Sequence, residues 1–342
     1  MKTYILGAGA SYGYDESIPI ELRPPLTTEF ISKGIKLGIF SEQDFPDLFL
    51  ALKTYLKQEN LPEQNCDIEK FLQYLANYFS RIALQKPIDF KKIQSLQRAL
   101  SQTFYFVYQL LRHYARSYVP KLDNYIRLAL HYNNCEYRVI TLNYDVLYEL
   151  ALQYINLNYH YFPDAHHLKN VPIAKIHGSI NWVNPCRGGI AITGIKEDVF
   201  RSVTQYIYSN KINVSSMKVL SPQEIKKISY NDFVRSGLDY DEPALIPPFS
   251  DYKDYEKVGG YKKIWSFAET MLRETSELVI IGCSIRKEDT KFGDLIKDTL
   301  KNDVPITIVS PSYEDVTKKL INLDKTNFKG TFESFERYTK SL

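Results

Sequence analysis

The chain has 342 residues, enough for one large α/β domain with inserts or for two modest domains. Its 43 basic and 40 acidic residues are spread along the chain and leave a net charge of +3, so charge gives no case for nucleic acid or a membrane as the main partner. No run approaches the roughly 18 apolar residues of a membrane span, and the first apolar run is too short for a signal peptide. We therefore expect a cytoplasmic protein.

Five short apolar runs are predicted to form strands. Each run is nearly continuous rather than alternating, which is typical of strands covered on both faces in a parallel sheet. The runs are Thr3–Leu6, Val139–Leu142, Ile173–Ile176, Leu278–Ile281 and Ile306–Val309. The sequence therefore predicts an α/β fold with a Rossmann-like parallel sheet, in which ligands bind outside the carboxyl ends of the strands.

Two long segments are predicted to be inserts. Between the first two strands, apolar residues recur at spacings of three and four, which predicts amphipathic helices. Because this segment is longer than a crossover needs, we predict an inserted helical subdomain at residues 40–132. The segment 185–260 is polar, rich in Tyr and Lys and poorly periodic, so we expect a second, irregular insert of loops and short elements. Residues 1–342 would then form a single domain.

The first strand is followed by Gly7-Ala8-Gly9-Ala10-Ser11. Glycines at this point let the backbone turn sharply and approach a pyrophosphate, with amides and a helix N-terminus facing the negative charge. The third glycine of the GxGxxG motif is absent, because Tyr12 stands at its position. A tight turn from strand to helix without a ligand explains this motif about as well.

Polar residues also follow the second and third strands. Asn143 and Asp145 lie two residues apart and suit a carboxamide and a ribose, although Asp145 taken alone is more typical of a helix cap. A lone histidine is usually a satisfied polar side chain. His177 ends a buried strand and is followed by Gly178 and Ser179, a placement that favours chemistry because histidine titrates near neutral pH.

Three later segments are candidates for the same site. The proline-rich run at residues 243–248 suits the lining of a pocket or the ordering of a loop. Gly282-Cys283-Ser284 follows the fourth strand, with Asp289 beyond it, and suits close approach of the backbone to a nucleotide. Ser310 ends the last strand, where its hydroxyl would reach a ribose.

The order and the strand-end placement of these motifs resemble the NAD-binding core of the sirtuin family. The resemblance runs from Thr3 to about Val309 and is greatest to the bacterial branch associated with antiphage defence. That branch also has segments like Arg23–Thr27 and the proline-rich run. The resemblance implies a Rossmann-like sheet with a smaller inserted module.

The cysteines depart from the pattern of protein-deacylating sirtuins. Those enzymes carry two CxxC pairs for a structural zinc soon after the histidine, whereas this chain has only Cys186 there. The four cysteines lie far apart and form no CxxC pair, so neither a zinc site nor a disulfide framework is expected. They are Cys66, Cys135, Cys186 and Cys283. We predict that no metal is bound.

The resemblance also implies residue roles. Asn143 and His177 would be catalytic, with Asn143 orienting a water or the ribose hydroxyls and His177 acting as a base. Asp145 would fix the carboxamide of nicotinamide. The pyrophosphate of NAD would be held by Gly7, Ala8, Gly9 and Ser11. The adenosine half would lie along Gly282, Ser284 and Ser310.

The function that this implies is hydrolysis of NAD+ to nicotinamide and ADP-ribose, as an effector of antiphage defence. NAD would be the substrate, and the missing zinc pairs put peptide deacylation in doubt. Since a freely active NAD hydrolase would poison its own cell, family analogy suggests a homo-oligomer or a separately encoded sensor or activator protein. Two alternatives are an NAD-dependent protein deacylase or ADP-ribosyltransferase, and a catalytically silent module that binds NAD or ADP-ribose.

Overall fold

A computed structural model describes most of the chain, in ten stretches. These are residues 1–62, 66–83, 87, 89–133, 135–161, 170–187, 218–227, 239–245, 259–287 and 289–342. The chain divides into two compact units. The first unit comprises Met1–Pro24, Tyr114–Ser179 and Pro248–Leu342, and the second comprises Pro25–His113 and Ile180–Pro247.

Seven parallel strands form the sheet of the first unit. In sheet order they are β10 (Phe328–Phe332), β9 (Ile306–Val309), β8 (Glu277–Ile281), β1 (Lys2–Leu6), β2 (Tyr137–Thr141), β4 (Val171–Lys175) and β3 (Tyr159–His160). The predicted α/β fold with a Rossmann-like parallel sheet is confirmed. All five strands expected from the apolar runs are present, four with bounds shifted by one or two residues and Ile306–Val309 with the bounds expected.

Burial explains why five strands were predictable and two were not. All four residues of β9 are buried, as are four of the five residues of β1 and of β8, so their runs are continuously apolar. The edge strand β10 instead alternates between half-buried and exposed positions, and β3 has only two residues. Neither leaves the uninterrupted apolar run by which a covered strand is recognised.

One row of residues marks the carboxyl end of five neighbouring strands. Leu6 pairs with Thr141 on one side and with Ile281 on the other. Thr141 then pairs with Lys175, and Ile281 pairs with Val309. Because the strands are parallel, the residues that follow this row leave the sheet at the same edge.

Helices complete the first unit. They are α1 (Ala8–Tyr12), α6 (Asn124–His131), α7 (Leu147–Tyr154), α9 (Gly259–Arg273), α10 (Thr290–Thr299), α11 (Tyr313–Asn322) and α12 (Phe335–Thr339). Asp123 begins α6 because its carboxylate accepts a hydrogen bond from the backbone N of Ile126, at 2.9 Å. Every residue of α7 from Leu147 to Leu152 is buried, so this helix belongs to the core.

The second unit contains helices and a small three-stranded sheet. Its helices are α2 (Phe30–Lys36), α3 (Pro46–Glu59), α4 (Ile68–Ala83), most of α5 (Phe90–Ser117) and α8 (Pro222–Lys227). The apolar residues of α4 that the spacing places on one face, among them Phe71, Leu72 and Leu75, are buried. The sheet has the strand order β6 (Lys218–Val219), β5 (Gly178–Arg187) and β7 (Asp239–Leu245).

Several expectations fall outside the described part of the chain. Most of the segment 185–260 lies there, including residues 246–248 of the proline-rich run. The bounds 185–260 therefore stay a prediction. The helical insert at residues 40–132, the single domain over residues 1–342 and the absence of a metal stay predictions as well. In the ten described stretches, no helix has both the length and the apolar character needed to cross a membrane.

Candidate active site

Five of the predicted site residues leave the sheet at its carboxyl edge, directly after the row of paired residues. Gly7, Gly282 and Ser310 each follow the last paired residue of their strand by one position. Asn143 and His177 follow theirs by two positions. The fold therefore gathers at one edge residues that lie far apart in the sequence, as the strand-end motifs predict.

The glycine turn after β1 packs directly against the loop after β8. The amide of Gly7 donates to the carbonyl O of Ile281, and that of Gly9 donates to Gly282 O, each at 2.9 Å. Gly282 has a φ of +58°, and a Cβ there would lie 2.1 Å from the backbone N of Ala10. The glycines are required by this backbone contact, and the amides of Gly7 and Gly9 are already used within the protein.

The side chain of Asn143 is fixed against the glycine turn. Its Nδ2 donates to the carbonyl O of Gly7 at 2.9 Å and to Oγ of Ser11 at 3.0 Å. Because a carbonyl oxygen only accepts, the atom facing Gly7 is the amide nitrogen, and Oδ1 faces the other way. Asn143 is 8% exposed, so its orientation is set by these two contacts.

Ser11 and Asp145 continue this network into the core. Oγ of Ser11 donates to Oδ2 of Asp145 at 2.7 Å and pairs with the hydroxyl of Tyr125 at 2.8 Å. Oδ1 of Asp145 accepts from the backbone N of Leu147, the first residue of α7, at 3.0 Å. The structure thus joins Asn143, Ser11 and Asp145, and Asp145 also holds the start of a helix, as the capping alternative anticipates.

A buried ion pair lies behind Asp145. Nζ of Lys175 donates to the backbone O of Asp145 and to Oε1 of Glu149, the latter at 2.9 Å. Glu149 also accepts from the hydroxyl of Tyr161 at 3.0 Å. Burial raises the pKa of the Asp145 carboxyl, which the nearby Lys175 ammonium opposes. Lys175 is not among the site residues that the motifs predict, although a lysine within a buried strand signals that an acidic partner lies nearby.

A small cavity of about 10 Å³ lies beside this ion pair, which is roughly the space that one water molecule needs. Asn143, Asp145, Glu149 and Lys175 form part of its wall. Pockets for drug-sized ligands measure roughly 300–1,000 Å³. This cavity is therefore too small to be the place of a dinucleotide.

His177 is buried and held by a carboxylate. Its Nε2 lies 2.8 Å from Oδ2 of Asp289, and the two side chains are 3% and 7% exposed. Oδ1 of Asp289 accepts from the backbone N of Phe292 and so caps α10. Nδ1 of His177 is buried without a hydrogen-bond partner in the described stretches. The ring of Trp265 packs against the imidazole edge to face, with centroids 6.5 Å apart.

Two serines, Ser310 and Ser284, are predicted to lie along the adenosine half of NAD. Oγ of Ser310 lies 3.2 Å from Oγ of Ser312 and accepts from the Ser312 backbone N. Ser284 is exposed, and its backbone O accepts from Nζ of Lys319. Both serines lie after strands of the row, in the loops that follow β9 and β8.

Comparisons with known proteins give a likeness only to solved structures. No family model matches the chain, and no curated protein matches it. One similar structure is that of a Sir2 enzyme, 10% identical, covering 99% of this chain and 88% of that chain with a TM-score of 0.40. The chain is similar to structures of Sir2 enzymes.

Two further matches are Sir2 complexes. A complex of Sir2 with a p53 peptide and NAD+ is 12% identical and covers 78% of this chain and 88% of that chain, with a TM-score of 0.40. A complex with the inhibitor EX-527, 2′-O-acetyl-ADP-ribose and a deacetylated p53 peptide is 12% identical. It covers 100% of this chain and 91% of that chain, with a TM-score of 0.38.

Proposed function

We propose that the chain binds NAD+ and hydrolyses the bond between nicotinamide and ribose, which yields nicotinamide and ADP-ribose. The observation that carries this proposal is the imidazole of His177. Asp289 holds its Nε2, while its buried Nδ1 has no partner among the described residues. Asn143 leaves the same edge of the sheet with its own side chain fixed. The sirtuin-like motifs indicate NAD as the substrate.

The proposed reaction needs a base and a positioned water. Nicotinamide is bound to ribose as a cation, so it leaves as a neutral molecule. The water oxygen bonds to C1′ of the ribose as the C1′–N bond breaks, and the electron pair of that bond passes to the pyridine nitrogen. Nδ1 of His177 takes the proton of the water, directly or through a ribose hydroxyl. Positioning of the water lowers the barrier by several kcal/mol, and general base catalysis contributes about 10²–10⁴-fold.

The other residues of the edge have distinct proposed roles. Oδ1 of Asn143 faces away from Gly7 and is the acceptor that orients the water or the ribose hydroxyls. Asp145 would hold the carboxamide of nicotinamide, since each carboxylate oxygen has two lone pairs and only one contact to Ser11 or Leu147.

The rest of NAD is proposed to follow the glycine turn and the neighbouring loops. The pyrophosphate would lie along residues 7–11, where Gly7 and Gly9 act by bringing two backbones into contact, because their amides are already used. The adenosine half would lie along Gly282, Ser284 and Ser310. Ser11 would support this region through its bond to Asp145.

We further propose that the hydrolase is an effector of antiphage defence, silent until it assembles or meets a separately encoded activator. The support is the resemblance to the defence branch and the harm that uncontrolled loss of NAD+ does to a cell. If the active form is a homo-oligomer, the rate of NAD+ hydrolysis per chain should rise with protein concentration. A rate per chain that is constant over the whole range of concentrations contradicts activation by self-assembly.

Incubation of the purified chain with NAD+, followed by chromatography of the products, tests the proposal. Hydrolysis gives nicotinamide and ADP-ribose in equal amounts without any peptide. A deacylase releases nicotinamide only when an acetylated peptide is present and yields O-acetyl-ADP-ribose. A transferase leaves ADP-ribose attached to protein, and a silent binding module retains intact NAD+. The assay is run over a range of protein concentrations, with and without the proteins encoded beside this chain, so that a silent form is activated. Any of these last three outcomes under all of these conditions contradicts the proposed hydrolysis.

A further inference from the structure

The carboxylate of Asp289 serves two partners with its two oxygens. Oδ1 accepts from the backbone N of Phe292, at 3.3 Å, at the start of α10. Oδ2 lies 2.8 Å from Nε2 of His177. An ionised carboxylate only accepts hydrogen bonds, so Nε2 carries the hydrogen in this pair.

We propose that Asp289 is a positioning residue that selects the tautomer of His177. A neutral imidazole has one N–H and one bare nitrogen. With the hydrogen held on Nε2, the bare nitrogen is Nδ1, which is buried and has no partner in the described part of the chain. This inference rests on the proposed function, in which Nδ1 accepts the proton. It adds the reason why that atom, and not Nε2, is the base.

The replacement Asp289→Asn reverses this choice without removing the helix cap. The backbone N–H of Phe292 requires an acceptor, so the carbonyl oxygen of the new amide keeps that position. The amide nitrogen then faces Nε2 of His177. Because an amide nitrogen only donates, Nε2 must become the acceptor and the hydrogen must move to Nδ1. In serine proteases the equivalent replacement keeps the geometry and lowers turnover by about 10⁴.

The tautomer can be measured directly, without NAD. The full chain is labelled with ¹⁵N-histidine, and NMR distinguishes the protonated from the bare imidazole nitrogen. The chain has six histidines, so the signals of His177 are assigned by their loss in His177→Gln. We expect the hydrogen on Nε2 in the wild type and on Nδ1 in Asp289→Asn. A wild-type His177 with its hydrogen on Nδ1, or an unchanged tautomer in a folded Asp289→Asn, overturns the proposal.

Two further variants separate positioning from folding. Asp89→Asn is the matched control, because Oδ1 of the exposed Asp89 likewise accepts a backbone N–H, from Lys92 at 3.0 Å. It removes the same charge away from the histidine and should leave the tautomer unchanged. Asp289→Ser keeps a capping oxygen but is too short to reach Nε2, so it should give a mixture of tautomers. If Asp289→Asn does not fold, a single tautomer in Asp289→Ser contradicts the proposal.

Activity gives an independent readout. Asp289→Asn should lower kcat for nicotinamide release by about 100-fold or more, the usual contribution of a general base, with KM for NAD+ changed by less than a few fold. Asp89→Asn should keep both constants. A wild type that cleaves no NAD+ at any concentration, with or without the proteins encoded beside it, contradicts the proposed function but leaves the NMR result intact. An active wild type with an equally active, folded Asp289→Asn contradicts the role of Asp289.

Discussion

Nε2 of His177 lies 2.8 Å from Oδ2 of Asp289, although 112 positions separate the two residues along the chain. His177 follows β4 at the carboxyl edge of the sheet, and Asp289 stands at the first turn of α10. One side chain therefore connects the candidate base to the start of a helix. The same carboxylate fixes both the position of the imidazole and the nitrogen that carries its hydrogen.

The contact between the glycine turn and the loop after β8 predicts a graded series of stabilities. Gly282→Ala combines a φ of +58° with a Cβ 2.1 Å from the backbone N of Ala10, so it should lower the free energy of unfolding by more than about 2 kcal/mol. Gly38→Ala has a similar φ, +65°, but nothing within 4 Å of its Cβ, and should cost about 1 kcal/mol. Urea denaturation measures both.

Gly330→Ala is the control for this series, because no atom lies within 4 Å of its Cβ and its φ lies outside the left-handed region. It should change the free energy of unfolding by less than about 0.5 kcal/mol. Equal stabilities of Gly282→Ala and Gly38→Ala would show that the two backbones are not in contact.

Gly9→Val should weaken NAD+ binding and also destabilise the fold, since a Cβ at Gly9 lies 2.8 Å from Cα of Gly282.

The buried pair of Lys175 and Glu149 predicts strong coupling between two substitutions. Lys175→Met leaves the carboxylate of Glu149 buried without its cation and should cost about 3–5 kcal/mol of stability. Lys175→Met combined with Glu149→Gln should cost clearly less than the sum of the two single substitutions. Chemical denaturation of the four proteins of this cycle measures the coupling.

A surface pair provides the comparison. Arg337 and Glu333 are 2.9 Å apart, and their side chains are 70% and 67% exposed. Arg337→Met should change stability by less than about 1 kcal/mol. If Lys175→Met is tolerated as well as Arg337→Met, the pair of Lys175 and Glu149 is not buried as the structure describes.

Asp123 predicts a pH dependence of stability. Burial raises the pKa of its carboxyl to about 6, against an ordinary value of 3.8, although Ile126 and Tyr118 donate hydrogen bonds to it. The folded state therefore binds this proton more tightly than the unfolded state does. The contribution of Asp123 to stability is most favourable below pH 4 and is lost as the pH rises towards 6, by about 3 kcal/mol.

Asp123→Asn should remove this loss, because asparagine keeps the helix cap and cannot ionise. The variant should be more stable than the wild type at pH 7, and its advantage should disappear at pH 4. Urea denaturation at a series of pH values measures this difference, in which the titration of all other groups cancels. An advantage that does not vary with pH contradicts a raised pKa for Asp123.

The sequence predicts some parts of this molecule and not others, for physical reasons. Strands covered on both faces, such as β1 and β9, are recognised by their continuous apolar runs, whereas the edge strand β10 has no such run. Asn143 and His177 were recognisable because strand ends are marked locally in the sequence. The partnership of His177 with Asp289 depends on how distant segments pack, which no local spacing reveals.

The release of nicotinamide from NAD+ by the wild type, Asn143→Ala and His177→Ala tests the central claim most directly. It is measured over a range of protein concentrations, so that assembly is sampled, and beside a thermal melt of each protein. The wild type should release nicotinamide and ADP-ribose in equal amounts. Each variant should stay folded and lose about 100-fold or more of kcat, and the double variant should lose little beyond that, because residues that act together fail together. Intact NAD+ at every wild-type concentration, both with and without the proteins encoded beside this chain, would contradict the account. Folded variants that release nicotinamide at the wild-type rate would contradict it as well.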